Sequence, residues 1–159
     1  MLRMPLPMHS KLIISDTSCF IVLSNIGELE LLRLLYKKVV TTTEIAAEFS
    51  ENLPNWVEVV SISDKAKQEL LEMQVDKGEA SAIALALESE NSLLIIDDYK
   101  ARKLAHNLKL NHTGTIGVVI AAKQEGIISS IKPILKKIKE TNFRISADLE
   151  LNALIQAKE

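Results

Sequence analysis

Five acids, Asp16, Glu44, Glu79 and the adjacent pair Asp97-Asp98, stand where apolar runs end or helices begin. Asp16 follows Leu12-Ile13-Ile14-Ser15, and Asp97 follows Leu93-Leu94-Ile95-Ile96. Two kinds of chemistry suit such positions. The first is local: an acid at a helix start accepts a backbone N–H, which stabilises by about 1 kcal/mol. Thr41-x-x-Glu44 has capping-box spacing, Asp76-x-x-Glu79 is its near relative, and Asp16, Asp97 and Asp98 each precede a helical pattern. The second is collective. Carboxylates gathered in one place repel and raise one another's pKa, and a hard divalent cation such as Mg2+ or Mn2+ turns that repulsion into binding. Such a cation polarises a phosphate oxygen and helps generate hydroxide from water. Taken singly, each acid is explained by capping. The collective chemistry requires the fold to bring them together.

Other reaction centres are not suggested. The three histidines, His9, His106 and His112, and the lone Cys19 have no zinc-site spacing. Cys19 lies in a helical run with no base nearby and reads as a small core residue. There is no Walker P-loop and no GxGxxG.

The elements that must position the acids follow from the apolar pattern. Buried strands are expected at residues 11–15, 39–42 and 92–96, an edge strand within 56–62, and a weak strand at 112–115. Helices are expected between them: about 18–25, 28–36, 43–50, 63–73 with Ser63 as cap, an alanine-rich helix opened by Asp76, 98–108, and 117–124 with Gly126 at its C-terminal cap. Two further helices follow Pro133. Strands alternating with helices imply an α/β fold with a parallel sheet of four to five strands covered on both faces. In such a sheet, ligands sit outside the carboxyl ends of the strands. Asp16, Glu44 and Asp97-Asp98 fall on that edge, and Glu79 reaches it if its helix starts there.

The 159 residues suit one domain, taken as 11–159, with a loose N-terminal tail over 1–10 and a helical C-terminal extension from about 130. The composition, 47% hydrophobic and 25% charged, is that of a globular chain. A net charge of −2 argues against broad electrostatic capture of nucleic acid and leaves room for a local basic patch. One cysteine fits a reducing, cytoplasmic setting. The N-terminus lacks the apolar core of a signal peptide, and no run is long enough for a membrane span.

The ordered set "IISDTS", "TTTEIAAEF", "GEASAIALALE", "LLIIDDYKARKLA" and "TGTIGVVIAAKQEGII" resembles the PIN-domain ribonucleases, and among them the branch related to VapC toxins. The resemblance runs from about residue 11 to 128. It implies a three-layer α/β/α fold and an endoribonuclease dependent on Mg2+ or Mn2+. Asp16, Glu44 and Glu79 match acids of the metal cluster, and Asp97 or Asp98 matches the fourth. Thr17 or Ser18, together with Thr115, match polar positions that support the cluster or touch phosphate. Arg102 matches the arginine of the "DD..AR" pattern, and its guanidinium suits a phosphate; a cluster acid is its other partner. The resemblance also implies an RNA substrate, a small antitoxin protein as partner, and a homodimer.

Two functions are therefore weighed. One is a metal-dependent endoribonuclease, the toxin of a toxin–antitoxin pair. The other is a catalytically weak PIN-like module that binds RNA or protein. The mutually repelling acids favour the first, and the low net charge favours the second.

Overall fold

The computed structural model describes residues 11–159; the tail expected over 1–10 lies outside the described residues. Five short strands, β1 (Leu12–Ser15), β2 (Val39–Thr42), β3 (Val57–Val60), β4 (Ser92–Ile95) and β5 (His112–Thr113), form one all-parallel sheet in the order β3-β2-β1-β4-β5. β1, β2 and β4 are the apolar runs and lie at the centre, where parallel strands are covered on both faces. β3 alternates and lies at an edge, as its pattern predicts.

Helices cover the sheet as a three-layer α/β/α arrangement. On one side α5 (Lys77–Glu88) crosses β1, β2 and β4, flanked by α3 (Thr43–Glu48), α4 (Lys65–Leu71) and α6 (Tyr99–Asn107). Its alanines let it lie close: Ala80, Ala82, Ala84 and Ala86 are all buried. A second apolar cluster joins α1 (Thr17–Asn25), α2 (Glu30–Tyr36), α7 (Thr115–Gln124), α8 (Lys132–Lys139) and α9 (Ala147–Gln156). The C-terminal helices thus pack onto the domain. The side chain of Glu159 helps hold them, accepting hydrogen bonds from Ser130 Oγ, from the Ile131 amide at 2.7 Å and from Lys123 Nζ at 3.1 Å. No helix among the described residues is long and apolar enough to cross a membrane.

Helix starts show where local chemistry fixed the boundaries. Asp16 caps α1 through the Cys19 amide at 2.9 Å, and Asp98 caps α6 through the Ala101 amide at 3.0 Å. Asp76 and Glu79 make a reciprocal capping box on α5. Two expected caps are corrected. Thr41 does not cap α3: its hydroxyl donates to the Ser15 carbonyl at 2.9 Å, and Thr42 accepts the Ile45 amide instead. Ser63 does not cap α4: its amide and that of Asp64 both donate to Glu88 Oε1, and the Asp64 carboxylate takes the Lys67 amide.

Thr42 has a second task. Its hydroxyl meets the Ser81 hydroxyl at 2.6 Å, both fully buried, and so ties α3 to α5. Thr42→Val keeps the shape and removes both the cap and this link. The expected cost is about 1–2 kcal/mol, read as a lower urea midpoint at unchanged m-value; an unmoved midpoint would show that the hydroxyl does not fasten the two helices.

Candidate active site

The strand order sets the location. The chain runs outward through β1, β2 and β3, then returns to place β4 on the other side of β1. Ligand crevices of open α/β sheets form at such a switch point, beyond the strand ends. Ser15 pairs with Ile95, so the residues just beyond, Asp16 and Ile96-Asp97, come side by side. The Asp16 amide donates to the Ile95 carbonyl at 3.0 Å, and the Asp97 amide donates to Asp16 Oδ2 at 3.1 Å.

Asp16 is only 4% exposed. Burial pushes its pKa well above the usual carboxylate range, and the Asp97 charge pushes it further. Amide hydrogen bonds from Cys19 and Asp97 oppose the rise, and the Glu79 charge adds to it. No cation among the described residues pairs with Asp16 or Asp97. Beneath them Cys19 is fully buried, and burial together with the two aspartates raises its pKa, keeping it an inert thiol.

Asp97 is oriented by the start of α7. It accepts the Thr115 amide at 2.7 Å and the Thr115 hydroxyl at 2.6 Å. Gly114 makes this approach feasible, since a Cβ there would stand 2.8 Å from Asp97 Oδ1 and 3.4 Å from Arg102 Nη1. Arg102 thus shares the Asp97 neighbourhood.

In front of Asp16 lies a cleft of about 370 Å³, lined by Thr17, Ser18, Glu48, Asp76, Gly78 and Glu79, with Asn142 and Phe143 from the loop between α8 and α9. Glu48 reaches it from α3. Its carboxylate accepts the Thr17 hydroxyl at 2.7 Å and lies over Gly78, where a Cβ would come within 2.8 Å of Oε2. Glu79 is half-buried, and its pKa is pushed up to about 7 by burial first, then by the charges of Asp76 and Asp98.

The structure therefore brings Asp16, Asp97, Glu79, Thr17, Ser18, Thr115 and Arg102 to one end of the sheet. Asp98 adjoins them but is exposed and spends a carboxylate oxygen on the α6 cap. Glu44 lies elsewhere. It faces a separate cavity of about 750 Å³ with Lys65, Gln68, Glu69 and Glu72. Burial there works to raise its pKa, but hydrogen bonds from Thr43 and Gln68, its own amide, and the Lys65 charge at 3.7 Å bring it below the usual value. Glu44 is a satisfied anion, unlike Asp16. The acid that α3 delivers to the cleft is Glu48, which reading for helix starts passes over because it stands in the last turn. Its signal was the second glutamate of "TTTEIAAEF", one turn beyond Glu44.

The donor set around the cleft is carboxylate and hydroxyl oxygen, which fits a hard cation such as Mg2+ or Mn2+ and suits zinc poorly. Among the described residues, no group of three or more His, Cys, Asp or Glu side chains is arranged to hold a metal ion as it stands. Asp16 is tied to two backbone amides and Asp97 to Thr115. Glu48 is exposed and Glu79 half-buried, so these are the acids with room to turn toward the aspartate pair.

No curated protein and no solved structure matches the chain. The family model DUF3368, described as a PIN domain, matches residues 12–159, from the first strand through the last helix. The order of the strands, the paired aspartates at the switch point and this match agree: the chain belongs to a PIN-domain family.

Proposed function

We propose that this protein is a divalent-metal-dependent endoribonuclease. PIN domains are nucleases in general, so the family match supports phosphodiester hydrolysis. The observation that carries the metal-dependent reading is Asp16, a buried carboxylate held against Asp97, neither of which forms an ion pair among the described residues. Such an arrangement costs stability unless something positive completes it.

Asp16 and Asp97 would hold the ion, with Glu48 and Glu79 completing its oxygen ligands from the open side. A bound cation supplies polarisation of a phosphate oxygen and a water-derived nucleophile. Thr115 fixes the direction of Asp97, and Thr17 that of Glu48. Arg102, beside Asp97 and Gly114, offers its guanidinium to the phosphate. The toxin role, a small antitoxin that silences the site, and a homodimer belong to the same proposal, supported by the resemblance to VapC-type toxins. Exposed Leu151 and Ile155, one turn apart on α9, and Leu70 on α4 with Met73 in the turn after it supply apolar surface for such partners.

Asp16→Asn should abolish cleavage of a single-stranded RNA in Mg2+ or Mn2+, by at least about 100-fold. Glu48→Gln should follow it in activity, whereas Glu44→Gln should stay near wild type. Full activity of Asp16→Asn in a purified preparation would remove the nuclease reading. Loss in Glu44→Gln with activity retained in Glu48→Gln would instead return the metal role to Glu44.

The pH dependence has a definite sign. A carboxyl raised from the ordinary ~4.3 to about 7 binds its proton more tightly in the folded chain. Its contribution is fully present below the unfolded value and is lost as pH rises through the folded one. In EDTA, the melting temperature should therefore fall as pH rises from ~4.5 through ~7, and Glu79→Gln should flatten that fall. Added Mn2+ should restore stability at pH 7.5 by mass action on the folded state. A flat wild-type profile would contradict the crowding of charge on which the site is built.

A further inference from the structure

A second cleft opens from the other side of Asp97, about 460 Å³ in volume and lined by Asp97, Tyr99, Arg102, Lys103, His106 and His112. Tyr99, Arg102, Lys103 and His106 are spaced i, i+3, i+4 and i+7 along α6, so they form one stripe on one helical face. At 1.5 Å per residue the stripe is about 10 Å long. Its first residue follows the aspartate pair directly.

The stripe has the components of a single-strand platform. Tyr99 is 79% exposed, an unusual position for a large aromatic side chain. Arg102 and Lys103 form no ion pair among the described residues, although carboxylates are abundant nearby. His106 stands edge-on to His112 with ring centroids 6.2 Å apart, closing the far wall. Burial, and the charges of Arg102 and His106, push the His112 pKa down. Aromatic faces hold unpaired bases, and adjacent cations track the backbone. A duplex offers no unstacked base to Tyr99.

We propose that this face of α6 is the path of a single-stranded RNA leaving the acid cluster, with Tyr99 stacking one base and Arg102 and Lys103 holding the flanking phosphates. The path is long enough for about three stacked nucleotides at ~3.4 Å each. It names the substrate form for the nuclease reading and rests on that reading for the direction of the strand.

The test is fluorescence anisotropy of a labelled single-stranded oligoribonucleotide in EDTA, where cleavage plays no part. Tyr99→Ala should weaken binding about 10-fold, the scale of one base–aromatic stack, while Tyr99→Phe should bind within about 2-fold of wild type. A duplex RNA of the same sequence should bind wild type and Tyr99→Ala alike. Lys103→Gln should lower the slope of log K against log salt concentration by about 0.7, one phosphate's worth for a single strand. Equal single-strand affinity for wild type and Tyr99→Ala, or an unchanged salt slope in Lys103→Gln, would overturn the path. Cleavage assays separate the two readings. RNA cleaved equally by wild type and Tyr99→Ala leaves a nuclease without this path. Tyr99-dependent binding in a protein that never cleaves leaves the path without the nuclease.

Discussion

The structure turns on one buried carboxylate. Asp16 is placed by β1, held by two backbone amides, and set against the start of the Asp97 segment. Those amides offset part of the desolvation cost; they do not cancel it, and its pKa stays raised. An N-cap does not need this. Asp64 and Asp98 cap their helices from exposed positions, with their charge in solvent. Asp16 performs the same capping from inside the protein and beside another acid. The excess of burial and repulsion over what capping requires is the physical signature that separates it from the other acids at helix starts.

The surrounding elements preserve that tension. Parallel pairing of β1 with β4 fixes the two aspartates side by side. The Thr115 amide and hydroxyl then lock Asp97 in direction, and Gly114 gives them the space to do so. On the other flank, the buried Thr42–Ser81 contact sets α3 on α5, and thereby Glu48 against Gly78. The Phe20–Phe49 contact, with centroids at 5.8 Å, joins α1 to the end of α3. Rigid secondary structure therefore supplies the aspartate pair. Longer and less confined glutamates supply the side facing solvent.

Strand and helix existence was legible because the central strands are short apolar runs and the helices between them carry their caps in the sequence. The switch point was legible for the same reason: acids directly after two β-branched or leucine-rich runs. Less legible was anything decided by side-chain reach. Asp97 and Asp98 are neighbours in the chain, and only the turn of the backbone after β4 sends one toward Thr115 and the other to the α6 amides. Glu44 and Glu48 lie one turn apart on α3. Lys65 and Gln68 on α4 claim the first, and no local pattern announces that pairing. Ser63 yields the cap to its neighbour Asp64, whose carboxylate takes the Lys67 amide. For Asp97 and Glu44 the deciding partner is distant in sequence.

The chain's net charge of −2 and a nucleic-acid substrate are compatible once the charge is placed. Electrostatic reach in solution is about 8 Å at physiological salt, so what a strand feels at the sheet edge is the local arrangement. There Asp16, Glu48 and Glu79 line one cleft, and Arg102 and Lys103 follow Asp97 along α6 in the other. A cation on the acids would remove the repulsion that faces a phosphate at the centre and leave the attraction along the helix. Glu44 takes no part in that balance, since Lys65 already offsets it in its own cavity. The metal would thus strengthen, through charge, a grip on a polyanion that the α6 face already supplies without it.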